Sequence, residues 1–129
     1  MKNKATEFVL IGAGWRADFY LRIAAASPER FRVTGALVRD EVKGKTFERQ
    51  WHVPSYRDLE TLLKSTSPEF AVISTPWAMT PVFINALAKR DVPALAETPP
   101  APDLTGLKKL VPLIKRNAKV QVAEQYLFQ

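Results

Sequence analysis

Residues 9–17 read V-L-I-G-A-G-W-R-A: an apolar run, two glycines one residue apart, then the opening of a helical pattern. Gly12 permits a tight turn that a side chain would obstruct, and Gly14 lets main-chain amides come close to a ligand. Ala17 takes the third place of a Gly-x-Gly-x-x-Ala pattern, where the need is close packing of helix on strand. Free N–H groups at a helix start, at the positive end of the helix dipole, suit a diphosphate. Trp15 and Arg16, the first helical residues, join the glycines in that site. The competing reading is a strand-to-helix turn with no ligand. Gly-x-Gly alone is a weak pattern, strengthened here by its place in a strand–helix–strand unit of about thirty residues.

A second pair of chemically useful residues ends the next apolar run. An acid there accepts hydrogen bonds from adenosine ribose hydroxyls, as in NAD, whereas a cation receives the 2′-phosphate of NADP. Arg39 and Asp40 supply one of each, and Asp40 also suits capping the helix that follows. The cofactor expected is NAD or NADP, with a slight lean to NADP through Arg39.

These residues need elements to hold them. Glu7 to Ile11 reads as a strand, and Trp15 to Ala26 as a helix with Ala17, Tyr20, Leu21 and Ala24 on one face. Phe31 to Val38 is a second strand, followed by a weak helix from Glu41 to Gln50 that Gly44 interrupts. Ser55 opens the next helix, with Asp58 three residues on in a capping-box arrangement and Leu59, Leu62 and Leu63 at helical spacing. Phe70 to Ser74 is short and continuously apolar, as a strand covered on both faces should be. Thr80 and Pro81 start a helix, the hydroxyl capping free amides, with Phe83, Ala86 and Leu87 inward. Val92 to Ala96 and Lys119 to Ala123 are further strands. Between them Asp103 caps a helix with Leu104, Leu107, Leu110, Val111 and Ile114 inward and a kink at Pro112. Strand–helix alternation with apolar strands predicts an α/β fold, a doubly wound parallel sheet. Six strands at this spacing would fill a single-domain Rossmann fold.

Bulk properties agree. The chain has 129 residues, 47% hydrophobic and 25% charged, which suits one packed domain. No apolar run approaches the ~20 residues that cross a bilayer, so no membrane partner is expected. The N-terminus lacks a signal peptide's long apolar region and cleavage site, so export is not expected and a cytoplasmic location fits. Without cysteine, disulfides and thiolate metal sites are excluded, and no metal is expected. The net charge of +6 invites a nucleic-acid reading, but the positive residues are scattered from Lys2 to Lys119. They read as a solvated surface with some attraction for phosphates and no specific nucleic-acid partner. His52, the lone histidine, falls in a surface loop and reads as solvated or structural rather than catalytic.

With these stretches in view, the chain resembles the N-terminal domain of the glucose–fructose oxidoreductase / inositol dehydrogenase / MocA (Gfo/Idh/MocA) group. Four segments carry the likeness in order: V-L-I-G-A-G at 9–14, V-P-S-Y-R-D-L at 53–59, V-I-S-T-P at 72–76 and A-E-T-P at 96–99. The resemblance implies hydride exchange between nicotinamide and a carbon of a sugar, cyclitol or related small molecule. It places Ser74, Thr75 and Pro76 over the adenosine and pyrophosphate, Glu97 on the nicotinamide ribose and Gln125 near the nicotinamide. Read by themselves, Thr75 and Pro76 are also simply a loop, and Glu97 a solvated strand end.

The chain departs from the family at two points. Thr98 stands where the family usually has lysine; its hydroxyl can bond a ribose oxygen but brings no charge, so the catalytic residues are unknown. Thr80 stands where the family often has histidine. The resemblance implies a longer protein. Residues 1–123 are expected to form the NAD(P)-binding domain, and 124–129 to begin a crossover into an absent C-terminal substrate domain. The apolar end, Tyr126 to Phe128, suggests a piece cut from a longer protein or a truncated reading frame.

The function expected is the nucleotide-binding domain of an NAD(P)-dependent oxidoreductase, inactive alone because no proton donor is placed for a substrate oxygen. Its small-molecule substrate would be held through the other domain, and a homo-oligomer is compatible. The alternative is a non-catalytic NAD(P)-binding sensor or partner-binding module, supported by Thr98.

Overall fold

The computed structural model describes residues 3–124. Six strands, β1 (Thr6–Ile11), β2 (Phe31–Leu37), β3 (Ser55–Tyr56), β4 (Phe70–Ile73), β5 (Ala94–Glu97) and β6 (Val120–Ala123), form one parallel sheet. Their order is β3-β2-β1-β4-β5-β6, as in a doubly wound Rossmann sheet. The order reverses between β1 and β4, so the connections leaving those two strands diverge and open a crevice beyond their carboxyl ends. Five helices, α1 (Trp15–Ala26), α2 (Glu41–Trp51), α3 (Leu59–Thr66), α4 (Thr80–Ala88) and α5 (Leu104–Lys115), connect the strands.

The continuous apolar runs follow from burial on both faces. Phe8 and Leu10 of β1 pack with Ala17, Leu21 and Ala24 of α1 and Phe47 of α2. Val9 and Ile11 point the other way, into a cluster with Leu62 of α3 and with Phe83, Ile84 and Leu87 of α4. Ala17 is fully buried, so the third position of the glycine pattern does bring α1 close to the sheet. Leu62 is also fully buried, and its Cδ1 stands 2.8 Å from where Gly35 would carry a Cβ. Leu62→Ala is expected to lower unfolding free energy by about 3 kcal/mol, through lost transfer energy and the cavity left behind. Urea unfolding measures it, and a loss under about 1 kcal/mol would mean that the site collapses freely.

Several local readings change once neighbours are present. Ser55 does not open α3: it pairs with Ala36 in the sheet, and Asp58 is the cap, its Oδ1 accepting from the Thr61 N–H at 2.8 Å. Gly44 does not interrupt α2, which is continuous, because the Arg57 guanidinium fills the space where a Cβ would stand. Thr80 does not cap α4. It is the first helical residue, buried, and its hydroxyl meets that of Thr75 at 3.2 Å.

The inward face of α5 also differs. Of the five apolar residues expected inside, only Leu110 is buried; Leu104 and Ile114 are 64% and 68% exposed, and Leu107 and Val111 are also exposed. The helix rests on α4, so one strip, Leu110 with Leu113, reaches the core. It continues past Pro112 to Lys115. Among the described residues, no helix is long and apolar enough to cross a membrane.

Candidate functional site

The crevice is built first by two glycines with different reasons to be there. Gly12 has φ +100°, a conformation that side chains disfavour, and an added Cβ would overlap the Ser74 carbonyl oxygen. The Ser74 N–H donates to the Ile11 carbonyl (2.9 Å), and the Gly12 N–H to that of Leu37 (3.1 Å). Those bonds draw the ends of β1, β2 and β4 together, so Gly12 is demanded by the fold.

Gly14 is not. Its φ of −75° and ψ of −178° are open to any residue, and an added Cβ meets nothing within 4 Å. It is the N-cap of α1, and no side chain caps that helix. By contrast α2, α3 and α5 begin with Asp40, Asp58 and Asp103, whose carboxylates accept first-turn amides. What glycine contributes at the start of α1 is access to bare main-chain donors.

The cleft at this end of the sheet has a volume of about 820 Å³, within the range of small-molecule sites. Gly12, Gly14 and Trp15 line one wall, Arg39 and Asp40 the end beyond β2, and Thr75 and Pro76 the β4 side. Ser74 contributes its carbonyl behind Gly12, while Thr98 follows β5 and is absent from this lining. Asp40 does cap α2, its Oδ1 accepting from the Lys43 N–H at 2.8 Å. The exposed Arg39 guanidinium stands 5.7 Å from the Phe83 ring centroid. Lys43 also lines the cleft. Sequence reasoning missed it, although its place one turn after Asp40 was a readable signal.

Arg16 and Glu97 sit elsewhere. Both line a separate groove over the α1 side of β5 and β6. Arg16 Nη2 donates to Glu97 Oε2 at 2.9 Å, and the Tyr20 hydroxyl donates to Oε1 at 2.5 Å. Strand alternation explains the placement: Ala94 and Ala96 face α4, so Leu95 and Glu97 face α1. The Glu97 side chain is 12% exposed, so it is a paired and largely buried group rather than a solvated strand end. Burial, first, and then the bond to Glu97 and its charge hold the Tyr20 hydroxyl well above its ordinary pKa. Tyr20 was read only as a core residue, yet it lies one helical turn from Arg16.

His52 is an exposed left-handed C-cap of α2 and takes no part in the cleft. Gln125 lies outside the described residues. Among the described residues, no cluster of three His, Cys, Asp or Glu side chains is arranged to hold a metal.

The family model for Gfo/Idh/MocA, an oxidoreductase family with an NAD-binding Rossmann fold, matches residues 6–126. The chain belongs to the Gfo/Idh/MocA family. Its solved structural relatives include the WlbA dehydrogenase from Chromobacterium violaceum, in complex with NADH and UDP-GlcNAcA. That match has a TM-score of 0.86 at 17% identity and covers 97% of this chain and 36% of the other. An apo scyllo-inositol dehydrogenase from Lactobacillus casei gives 0.85 at 14% identity, covering 100% of this chain and 39% of the other. An oxidoreductase from Agrobacterium radiobacter, in complex with NAD+, L-tartaric acid and magnesium, gives 0.80 at 22%, covering 98% and 37%. At these identities the likeness is one of fold, and this Gfo/Idh/MocA chain spans little more than a third of each. No curated protein sequence matches it.

The site fits the dinucleotide that the family description names. The uncapped start of α1 offers amides to a diphosphate, and Gly14 leaves room for its approach.

Proposed function

We propose that this chain is the cofactor-binding domain of an NAD(P)-dependent oxidoreductase acting on a sugar, cyclitol or related polar small molecule. One observation carries the reading: neither backbone conformation nor packing requires glycine at position 14, while a closely approaching diphosphate does. In this arrangement the amides at the start of α1 hold the diphosphate, and Thr75 and Pro76 bound it from the β4 side. Arg39 and Asp40 meet the adenosine ribose. Glu97, held by Arg16 in the α1-side groove outside this cleft, and Thr98 after it are assigned to the nicotinamide half from the end of β5. The nicotinamide, when bound, supplies or accepts the hydride, and the protein supplies orientation and electrostatics.

Substrate-side acid–base groups are assigned to a further domain, so the 129 residues alone are expected to bind cofactor without turnover. Titrating the chain with NADH and NADPH, and assaying it against a panel of polyols, tests both statements. Absence of nucleotide binding overturns the reading.

The lean to NADP gains support from Lys43, a second cation beside Arg39 at the ribose end. NADP is expected to bind about tenfold tighter than NAD, and Arg39→Ala to remove that margin, near 1.4 kcal/mol. Competitive titration checks it, and a tenfold preference for NAD refutes it.

Thr98 favours a second reading, a non-catalytic NAD(P)-binding sensor. Oxidoreductase activity in a longer protein carrying this domain, with Thr98 unaltered, eliminates it.

A further inference from the structure

Arg57 lies outside the cleft, yet its contacts straddle Arg39 and Asp40, the two cleft residues proposed above for the adenosine ribose. Its Nη1 donates to the Val38 carbonyl at 3.1 Å, directly before Arg39. Its Nε donates to Glu41 Oε2 at 2.9 Å, directly after Asp40. Nη1 also donates to Ser55 Oγ at 2.9 Å, and that hydroxyl donates in turn to Glu48 Oε1 at 2.8 Å. The guanidinium thus ties the end of β2, the first turn of α2 and the short strand β3 together. Gly44 is the matching gap in α2, since any side chain there would take the guanidinium's place.

An exposed Arg–Glu pair contributes little to stability, because solvent screens it and ordering two long side chains opposes it. Glu41 is 68% exposed, so stability alone is a poor reason for this arrangement. A planar guanidinium with several donors does something else well: it fixes the relative position of the groups it binds.

The structure assigns Arg57 as a positioning residue that holds the Arg39–Asp40 dipeptide and thereby sets discrimination between a ribose 2′-hydroxyl and a 2′-phosphate. The assignment rests on the proposed placement of adenosine at that end of the cleft. Arg57 touches no ligand; it acts through the Val38 carbonyl and the Glu41 carboxylate.

The test compares Arg57→Met, Arg57→Lys and Gly44→Ala with the unaltered 129-residue chain. Titration with NAD+ and NADP+ gives their affinity ratio, and urea unfolding is followed in parallel. Arg57→Met is expected to move the ratio about fivefold or more, a coupling typical of contacting groups. Gly44→Ala should reproduce the change by displacing the guanidinium, while alanine's better helix propensity keeps α2 formed. Arg57→Lys should retain part of the ratio. An unchanged ratio, or equal loss for both nucleotides, overturns the assignment.

Hydrogen exchange separates this from failure of the cofactor reading. The Lys43 and Gly44 amides donate to Asp40 Oδ1 and to the Asp40 carbonyl, reporting on the braced turn whether or not nucleotide binds. If neither nucleotide binds the unaltered chain, faster exchange in Arg57→Met confined to that turn still supports the brace. Unchanged exchange there refutes it.

Discussion

Gly14→Ala should leave the domain folded and remove most of its dinucleotide affinity, whereas Gly12→Ala should damage both. At position 14 the backbone is in an ordinary extended conformation and an added methyl meets no protein atom within 4 Å. Exchanging glycine for alanine at an N-cap costs about 1 kcal/mol or less, because glycine is only the moderately better cap. The methyl does occupy space beside the bare amides of α1, where a diphosphate must come within hydrogen-bonding distance. Lost or lengthened charge-assisted bonds there should weaken binding at least tenfold, or about 1.4 kcal/mol.

At Gly12 the side chain would have to accept φ +100° and overlap the Ser74 carbonyl. Strain of about 1–3 kcal/mol from the conformation adds to about 1–3 kcal/mol from overpacking. Urea unfolding and NADH titration on both variants give the contrast. Wild-type affinity in Gly14→Ala would remove the main support for the cofactor reading.

Glu97→Leu is the second large effect, expected to cost about 1–2 kcal/mol. The substitution leaves the partly buried Tyr20 hydroxyl without its acceptor, and water in the adjoining groove reduces the penalty below the ~1–3 kcal/mol of a fully buried polar group. Arg16 loses its partner as well, but its side chain is 40% exposed and water compensates much of that loss.

The same cluster gives a pH signature. Tyr20 has its pKa raised above the ordinary 10.0, chiefly by burial and then by Glu97. The folded state therefore holds that proton more tightly than the unfolded chain does. The resulting stability is complete below the unfolded value and is lost as pH rises from about 10 through the higher folded value. Tyr20→Phe should abolish this alkaline loss, and Glu97→Leu should reduce it while burial keeps part of it. Unfolding at about pH 8 and about pH 11 reads the difference, with other titrating groups common to all variants. An identical alkaline decline in Tyr20→Phe would show that the hydroxyl is not held as described.

These two clusters were unequally legible. The glycine turn was readable because its requirements are local: a strand ending, a positive φ and a helix beginning within a few residues of one another. The place of Arg39 and Asp40 in the cleft lining was readable for a similar reason, since topology brings the end of β2 to the crevice of any such sheet. Arg57 and Tyr20 were not assigned, because each acts on residues far along the chain: Arg57 lies 16 residues from Glu41, and Tyr20 lies 77 from Glu97.

Periodicity and turn chemistry alone were sufficient for the doubly wound sheet, the continuous burial of β1 and β4, and the need for Gly12. Each of those depends on neighbours in sequence and on the parity of a strand. Packing decided which strip of α5 is covered, why Gly44 does not break α2, and that Ser55 belongs to the sheet while Asp58 caps the helix. It also turned Glu97 toward α1. An apolar or charged side chain carries no record of which distant partner will reach it, so those choices exist only when the layers close on one another.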